Sequence, residues 1–167
     1  LVQLCGADGH VHLVRFARGP YAAPRLVALL GDPKVLKIFH FARFDLAAVS
    51  HNLGVMPAPV YCTKIASRLV RTFTDRHGLK DLARDLLGVE LSKEQQSSDW
   101  GAAELSPAQM KYAAADVIHL HAIKDRLDAM LAREGRAGLA QDLFACLPVR
   151  ARLDLMGWAE DRKSTRL

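Results

Sequence analysis

The chain has 167 residues, half of them hydrophobic, and a formal net charge of +5. That length suits one domain with a full core, and no apolar run approaches the roughly 18 residues of a membrane span. The three cysteines, Cys5, Cys62 and Cys146, sit in apolar contexts without metal-ligand spacing, which argues against a zinc site and for reduced thiols in a cytoplasmic setting.

In chain order, residues 2–5 and 11–16 read as two strands joined by the turn-rich Gly6-Ala7-Asp8-Gly9, a hairpin pattern. Residues 24–30 form a short helix stopped by Gly31, and residues 35–39 an apolar, β-branched strand. Residues 42–53 form a helix ended by Gly54. After the turn Pro57-Ala58-Pro59, residues 60–62 are a short strand, and Thr63 is placed to cap a helix through Val70. A further helix covers 79–87 up to Gly88, and residues 90–104 are polar and irregular.

The strongest helix start follows: Ser106 at the N-cap, Pro107 in the first turn and Gln109 completing a capping box. This helix is expected to run to about Leu131, burying Val117, Leu120, Leu127 and Leu131. A last helix covers 137–146, before Pro148. The order of elements indicates an α/β domain with a mixed sheet flanked by helices. The domain is expected to cover residues 1–158. The tail 159–167, where hydrophobic periodicity stops, is expected to be disordered or non-native.

Tyr112 and Asp116 are four residues apart on the capped helix and therefore share a face. Asp45 offers a second carboxylate from a separate helix. Carboxylates converging from different elements are what a Mg²⁺ site for phosphodiester chemistry needs. His119 shares the stripe of Tyr112 and Asp116, where a packed histidine is the plainer reading. The positive balance points mildly to a polyanionic partner, although Arg162, Lys163 and Arg166 in the tail supply part of it. Candidate nucleic-acid contacts are His40, Arg76, Lys80 and Trp100, with His77 beside them. Arg76, His77 and Lys80 would track phosphates or form an ordinary charged surface, and Trp100 would stack a base or anchor its loop.

With these motifs in place the chain resembles the ribonuclease D family of 3′–5′ exonucleases. That family has the ribonuclease H-like fold and belongs to the DEDD superfamily, in its tyrosine subtype. His40-Phe-Ala-Arg-Phe-Asp45-Leu46 is similar to the family's second motif and Tyr112-Ala-Ala-Ala-Asp116 to its third. Residues 63–69 and 78–82 are similar to its connecting helices, and Leu91-Ser-Lys93 with Ser98-Asp99-Trp100 to its polar loop. Phe41 departs from the pattern, which often has Asn there, and Cys62 stands where Asp is common. The family's Asp-x-Glu motif lies on a strand preceding the one at Leu1, and no such motif appears near Leu1. The chain is therefore expected to lack the first strand of the fold and two of four site carboxylates, and to be inactive by itself.

The resemblance implies hydrolysis of RNA from its 3′ end with two divalent ions, Mg²⁺ or Mn²⁺. Asp116 would ligate one ion, Asp45 the other, and Tyr112 would orient the attacking water. Single-stranded DNA is the alternative substrate, in a proofreading-type exonuclease. A catalytically inactive nucleic-acid-binding module is the alternative of another class. Oligomeric state is left open.

Overall fold

The computed structural model describes residues 1–16, 21–92, 94, 95, 97–102 and 104–158. Lys93 of the polar loop and the expected tail 159–167 lie outside these residues.

The chain runs β1 (Val2–Cys5), β2 (Val11–Val14), α1 (Pro24–Gly31), β3 (Lys37–Phe39), α2 (Ala42–Leu53), β4 (Val60–Cys62), α3 (Thr63–Val70), α4 (Leu79–Leu82), α5 (Pro107–Ile118), α6 (Leu120–Arg133) and α7 (Ala137–Leu155). A π-helical stretch, Ala83–Leu87, continues α4 up to Gly88. The α/β class with flanking helices is as the sequence indicates. The strands, however, pair as two separate two-stranded sheets rather than one continuous sheet. β1 and β2 are antiparallel, with Val2 opposite Val14. β3 and β4 are parallel, with Lys37 opposite Val60.

Three helix ends differ from the sequence reading. The helix starting at Pro107 is interrupted at His119, which sits at the edge of the α region with φ −96° and ψ −4°, so α5 and α6 are distinct. α7 continues through Pro148 to Leu155, because its buried stripe of Ala140, Phe144, Leu147 and Ala151 packs on the core on both sides of the proline. Proline removes one helical hydrogen bond, and burial of this stripe outweighs that loss. Thr63 does not cap α3: the N-cap is Cys62, without a side-chain bond. The Thr63 hydroxyl is directed instead to the Phe39 carbonyl oxygen at 3.2 Å.

The core lies between β4 and helices α2, α3, α6 and α7, around Leu46, Tyr61, Ala66, Ile123, Leu127 and Phe144. Tyr61 packs its ring 4.5 Å from Phe144 and donates its hydroxyl to Asp128 at 2.9 Å. Arg71 is buried in this shell, donating to Asp85, to the Arg76 carbonyl oxygen and to Ser67. A buried guanidinium needs such a full set of acceptors. α2 packs against α7, and Arg43 forks onto Asp154 at 2.5 and 2.6 Å. These contacts hold the start of α2 in place.

Candidate active site

The site grows from two helix starts. α2 begins after Phe41, which adopts left-handed backbone at φ 64° and ψ 48°. That conformation is unfavourable for a bulky L-residue and easier for Asn or Gly, which gives a physical reason for Asn at this point of the resembling motif. Phe41 is exposed and its ring carries the Lys64 ammonium 4.1 Å from its centroid. The sharp entry into α2 puts Asp45 in the first helical turn, facing inward. Asp45 has no hydrogen bond or ion pair among the described residues, since Arg43 is directed to Asp154. Burial pushes its carboxyl up to about 6.

α5 begins with the full capping box: Gln109 N–H donates to Ser106 Oγ at 3.2 Å, and Ser106 N–H to Gln109 Oε1 at 2.9 Å. The buried Gln109 does more than cap. Its amide nitrogen donates to Ser98 Oγ at 3.2 Å and to the Asp99 carbonyl oxygen at 2.9 Å. The polar loop is thereby tied to α5 one turn before Tyr112, and Trp100 comes to rest 6.0 Å from the Tyr112 ring. Asp116 lies one turn further on. Burial raises its carboxyl, and the Lys80 ammonium opposes that rise. Lys80 itself donates to the Ser92 carbonyl oxygen at 2.7 Å and lies 5.9 Å from the Tyr112 ring centroid. Burial and the neighbouring Asp116 raise the Tyr112 phenol above its ordinary value.

These pieces meet at a cleft of about 1030 Å³ between the two sheets. Asp45, Asp116 and His40 line it, with β1 on one wall and β3 on the other. A smaller recess of about 270 Å³ adjoins it at Asp116, lined by Tyr112, Trp100, Leu1 and Gln3. The structure thus brings together Asp45, Asp116, Tyr112, His40, Lys80 and Trp100. Arg76 is exposed and lines neither space. His77 is occupied by Ser67 at 2.8 Å, within the Arg71 shell. His119 ends α5 and lines neither space. Two residues escaped the sequence reading. Gln109 was legible as a cap, but its grip on the polar loop needs the loop's path. Thr63, which holds His40 at 2.9 Å, read as a helix cap because a threonine before a helix usually is one.

A family of 3′–5′ exonucleases matches residues 1–132. The chain belongs to this 3′–5′ exonuclease family. Its relatives include ribonuclease D of Gluconacetobacter diazotrophicus, 43% identical over 144 residues, which are 86% of this chain and 36% of that protein. The chain spans about a third of the length of the curated relatives it matches. Two solved structures of NrnC from Brucella melitensis are also similar. One, with bound Mg²⁺, is 51% identical with a TM-score of 0.88, over 96% of this chain and 78% of that one. The other, bound to pGG, is 51% identical with a TM-score of 0.91, over 99% and 80%.

Exonucleases of this family are hydrolases, and the Mg²⁺-bound relative points to use of a divalent metal. The donor set here fits such an ion. Asp45 and Asp116 are hard oxygen donors, both raised by burial and neither in an ion pair. Mg²⁺ is commonly held by one or two carboxylates, with water and substrate phosphate completing the shell. Among the described residues no group of three or more His, Cys, Asp or Glu could hold a metal. The carboxylates of Asp45 and Asp116 both line the cleft.

Proposed function

We propose that this protein acts as a 3′–5′ exoribonuclease, hydrolysing RNA from its 3′ end at the cleft between the two sheets. The observation that carries this is the convergence of Asp45 from α2 and Asp116 from α5 on one cleft, with Tyr112 and Trp100 in the adjoining recess. Two Mg²⁺ or Mn²⁺ ions, when bound, would activate water and neutralise charge on the scissile phosphate. Asp116 and Asp45 would hold them.

The chain's own groups supply the rest. Tyr112, raised further above neutrality, stays protonated at physiological pH. Its hydroxyl therefore orients the attacking water by hydrogen bonding and does not remove a proton. Lys80 puts a positive charge beside Asp116, where a phosphate backbone would pass. Trp100, held over Tyr112, offers a π-face to a terminal base. Arg76, away from the cleft, has no part in this reading.

The cleft is also where we infer that the expected missing strand belongs. Among the described residues, β1 pairs only with β2 and β3 only with β4. The cleft lies between their open edges. A strand entering there would join the two sheets into one and bring its alternate side chains to Asp45 and Asp116. We place an acidic strand from residues preceding Leu1 in that position, as the Asp-x-Glu pattern of the resembling family requires. On this reading residues 1–158 belong to one exonuclease domain, and the chain without that strand does not hydrolyse RNA. We place the protein in the cytoplasm, the setting that sparse cysteines without a paired pattern suit; no described helix is long and apolar enough to cross a membrane.

The test is RNA hydrolysis by the protein carrying its upstream strand, with Mg²⁺ or Mn²⁺. Asp116→Asn is expected to abolish cleavage. Tyr112→Phe is expected to slow it while sparing RNA binding. Wild-type rates in Asp116→Asn would remove the site assignment. RNA binding without metal-dependent cleavage in the intact protein would make it a binding module. Faster cleavage of DNA of equal sequence would make it a proofreading-type enzyme.

A further inference from the structure

We propose that His40 is a specificity-determining residue whose Nε2 accepts a hydrogen bond from a sugar hydroxyl of the 3′-terminal nucleotide. This rests on the exonuclease reading above. His40 directly follows β3, at the C-terminal end of a parallel strand pair, where α/β sheets tend to place their ligands. It lines the cleft with Asp45 and Asp116; on the exonuclease reading those two carboxylates hold the terminal nucleotide's end of the cleft, beyond the strand placed between the sheets, and put His40 within its reach.

The hydrogen bonds around His40 fix its tautomer. Nδ1 lies 2.9 Å from Thr63 Oγ1, and Thr63 Oγ1 lies 3.2 Å from the Phe39 carbonyl oxygen. A threonine hydroxyl has one proton, and a carbonyl can only accept. The Thr63 proton therefore goes to Phe39, and Nδ1 must carry the ring proton and donate to Thr63. In the neutral imidazole this leaves Nε2 as a bare acceptor. Nε2 has no partner among the described residues. No buried side-chain nitrogen or oxygen among them lacks one, so Nε2 is reached by solvent. Thr63 is fully buried, so the arrangement exists before any substrate arrives.

The neutral form is the resident one. Burial, and then the Lys64 ammonium, hold the ring down at about 4. A neutral ring presenting a lone pair repels phosphate oxygens, which present lone pairs too. It suits a donor. The donors common to every RNA 3′ end, whatever its base, are the 2′- and 3′-hydroxyls of the terminal ribose. A 2′ contact would distinguish RNA from DNA. A 3′ contact would read the free end itself.

The experiment uses the protein with its upstream strand and short RNAs of one sequence. Their terminal nucleotide is unmodified, 2′-deoxy or 3′-deoxy. For the unmodified protein, kcat/KM is expected to fall about ten-fold for one of the two deoxy substrates, as a lost hydrogen bond to a committed acceptor implies. In His40→Ala that ratio is expected to collapse to about one. In His40→Gln, which keeps an acceptor oxygen, part of it should return. Thr63→Val, which frees the ring, should also shrink it. Which ratio moves identifies the hydroxyl.

A His40→Ala protein that hydrolyses RNA and keeps both wild-type ratios, or changes only its base preference, overturns the inference and leaves the exonuclease reading standing. Should His40→Ala not fold, the substrate series with the unmodified protein decides, and indifference to both deoxy substitutions overturns the inference. Absence of hydrolysis by the unmodified protein with either metal removes the exonuclease reading, and this inference with it.

Discussion

Replacing Asp45 with Asn should stabilise the protein, and the size of the gain follows from the burial of one carboxylate. Asp45 faces the cleft without a hydrogen bond or ion pair among the described residues, and its carboxyl is pushed from the ordinary 3.8 up to about 6. Ionising it within the fold therefore costs about 3 kcal/mol more than ionising it in the unfolded chain. The sign follows from proton binding. Between 3.8 and about 6 the folded state holds the proton that the unfolded state has lost, so stability falls as pH rises through this window. It levels off above about 6, and below 3.8 the penalty is absent. Asn matches the shape and cannot ionise. Without metal, the Asp45→Asn protein should be more stable than the parent by about 3 kcal/mol at pH 8 and by about half of that at pH 5. At this chain length the pH 8 gain is roughly 6–12 °C in Tm. Urea denaturation of both proteins in EDTA at the two pH values measures it. Adding Mg²⁺ should then raise the stability of the parent more than that of the variant, because a bound cation offsets the cost of the carboxylate. Equal stabilities at pH 8, or a difference that does not shrink at pH 5, would refute the account of Asp45 as an uncompensated buried acid.

Three further outcomes follow from the same geometry. Phe41→Asn should raise stability by about 0.5 kcal/mol, since relief of left-handed backbone, about 1–2 kcal/mol for Gly and less for Asn, outweighs an exposed cation–π contact of about 0.5–1 kcal/mol; Phe41→Ala, which keeps the backbone cost and loses the contact, should lower it, and thermal melts of the pair decide. Gln109→Leu leaves the Ser106 N–H and the Asp99 carbonyl oxygen without their partner and should cost about 2–3 kcal/mol, with a shift of Trp100 emission on excitation at tryptophan wavelengths as the loop comes away from Tyr112. A double-mutant cycle of Arg43→Met and Asp154→Asn should give a coupling of about 1 kcal/mol, because the fork at 2.5 and 2.6 Å is only partly exposed; a coupling near zero would mean that packing alone holds α2 on α7.

What the sequence made legible was chemistry carried by local pattern. Ser106, Pro107 and Gln109 announce the start of α5, and the structure starts it there with both capping bonds made. Gly54 ends α2 in left-handed backbone, the conformation in which glycine costs nothing. The i, i+4 spacing put Tyr112 and Asp116 together because helical geometry leaves no alternative. Features set by distant partners were not legible. The break at His119 and the passage of α7 through Pro148 depend on what each helix packs against, and neither neighbour is close in sequence. The double role of Gln109 depends on loop residues ten and eleven positions upstream. The grip of Thr63 on His40 spans 23 residues and competes with a capping role that the local sequence favours. Arg76 lines neither the cleft nor the recess, and the sequence could not choose between a phosphate contact and a surface charge because charge is visible in sequence and direction is not.

The cleft unites two deficits that look unrelated. Along its walls, β1 and β3 each leave one edge unpaired among the described residues, and such edges favour another strand. In its depth, Asp45 and Asp116 are half-buried carboxyls raised above their ordinary range. A strand entering the cleft would satisfy the backbone groups, but if it carries acidic residues it adds negative charge to a place already short of positive charge. Lys80 is the single cation lowering Asp116, and it is also committed to the Ser92 carbonyl oxygen. Further carboxylates there would raise one another's pKa values unless a cation is taken up. On the proposed reading, completing the sheet and binding metal are therefore coupled: each makes the other more favourable. The coupling would give a protein carrying such a strand a signature that an inactive relative of the fold would lack. Its Tm should rise with Mg²⁺ or Mn²⁺ at pH 8, rise less at pH 5, where carboxyls such as Asp45 are largely protonated, and respond little once Asp45 and Asp116 are both Asn. A metal response that survives the double substitution would place the ions elsewhere in the molecule and separate the cleft from the chemistry.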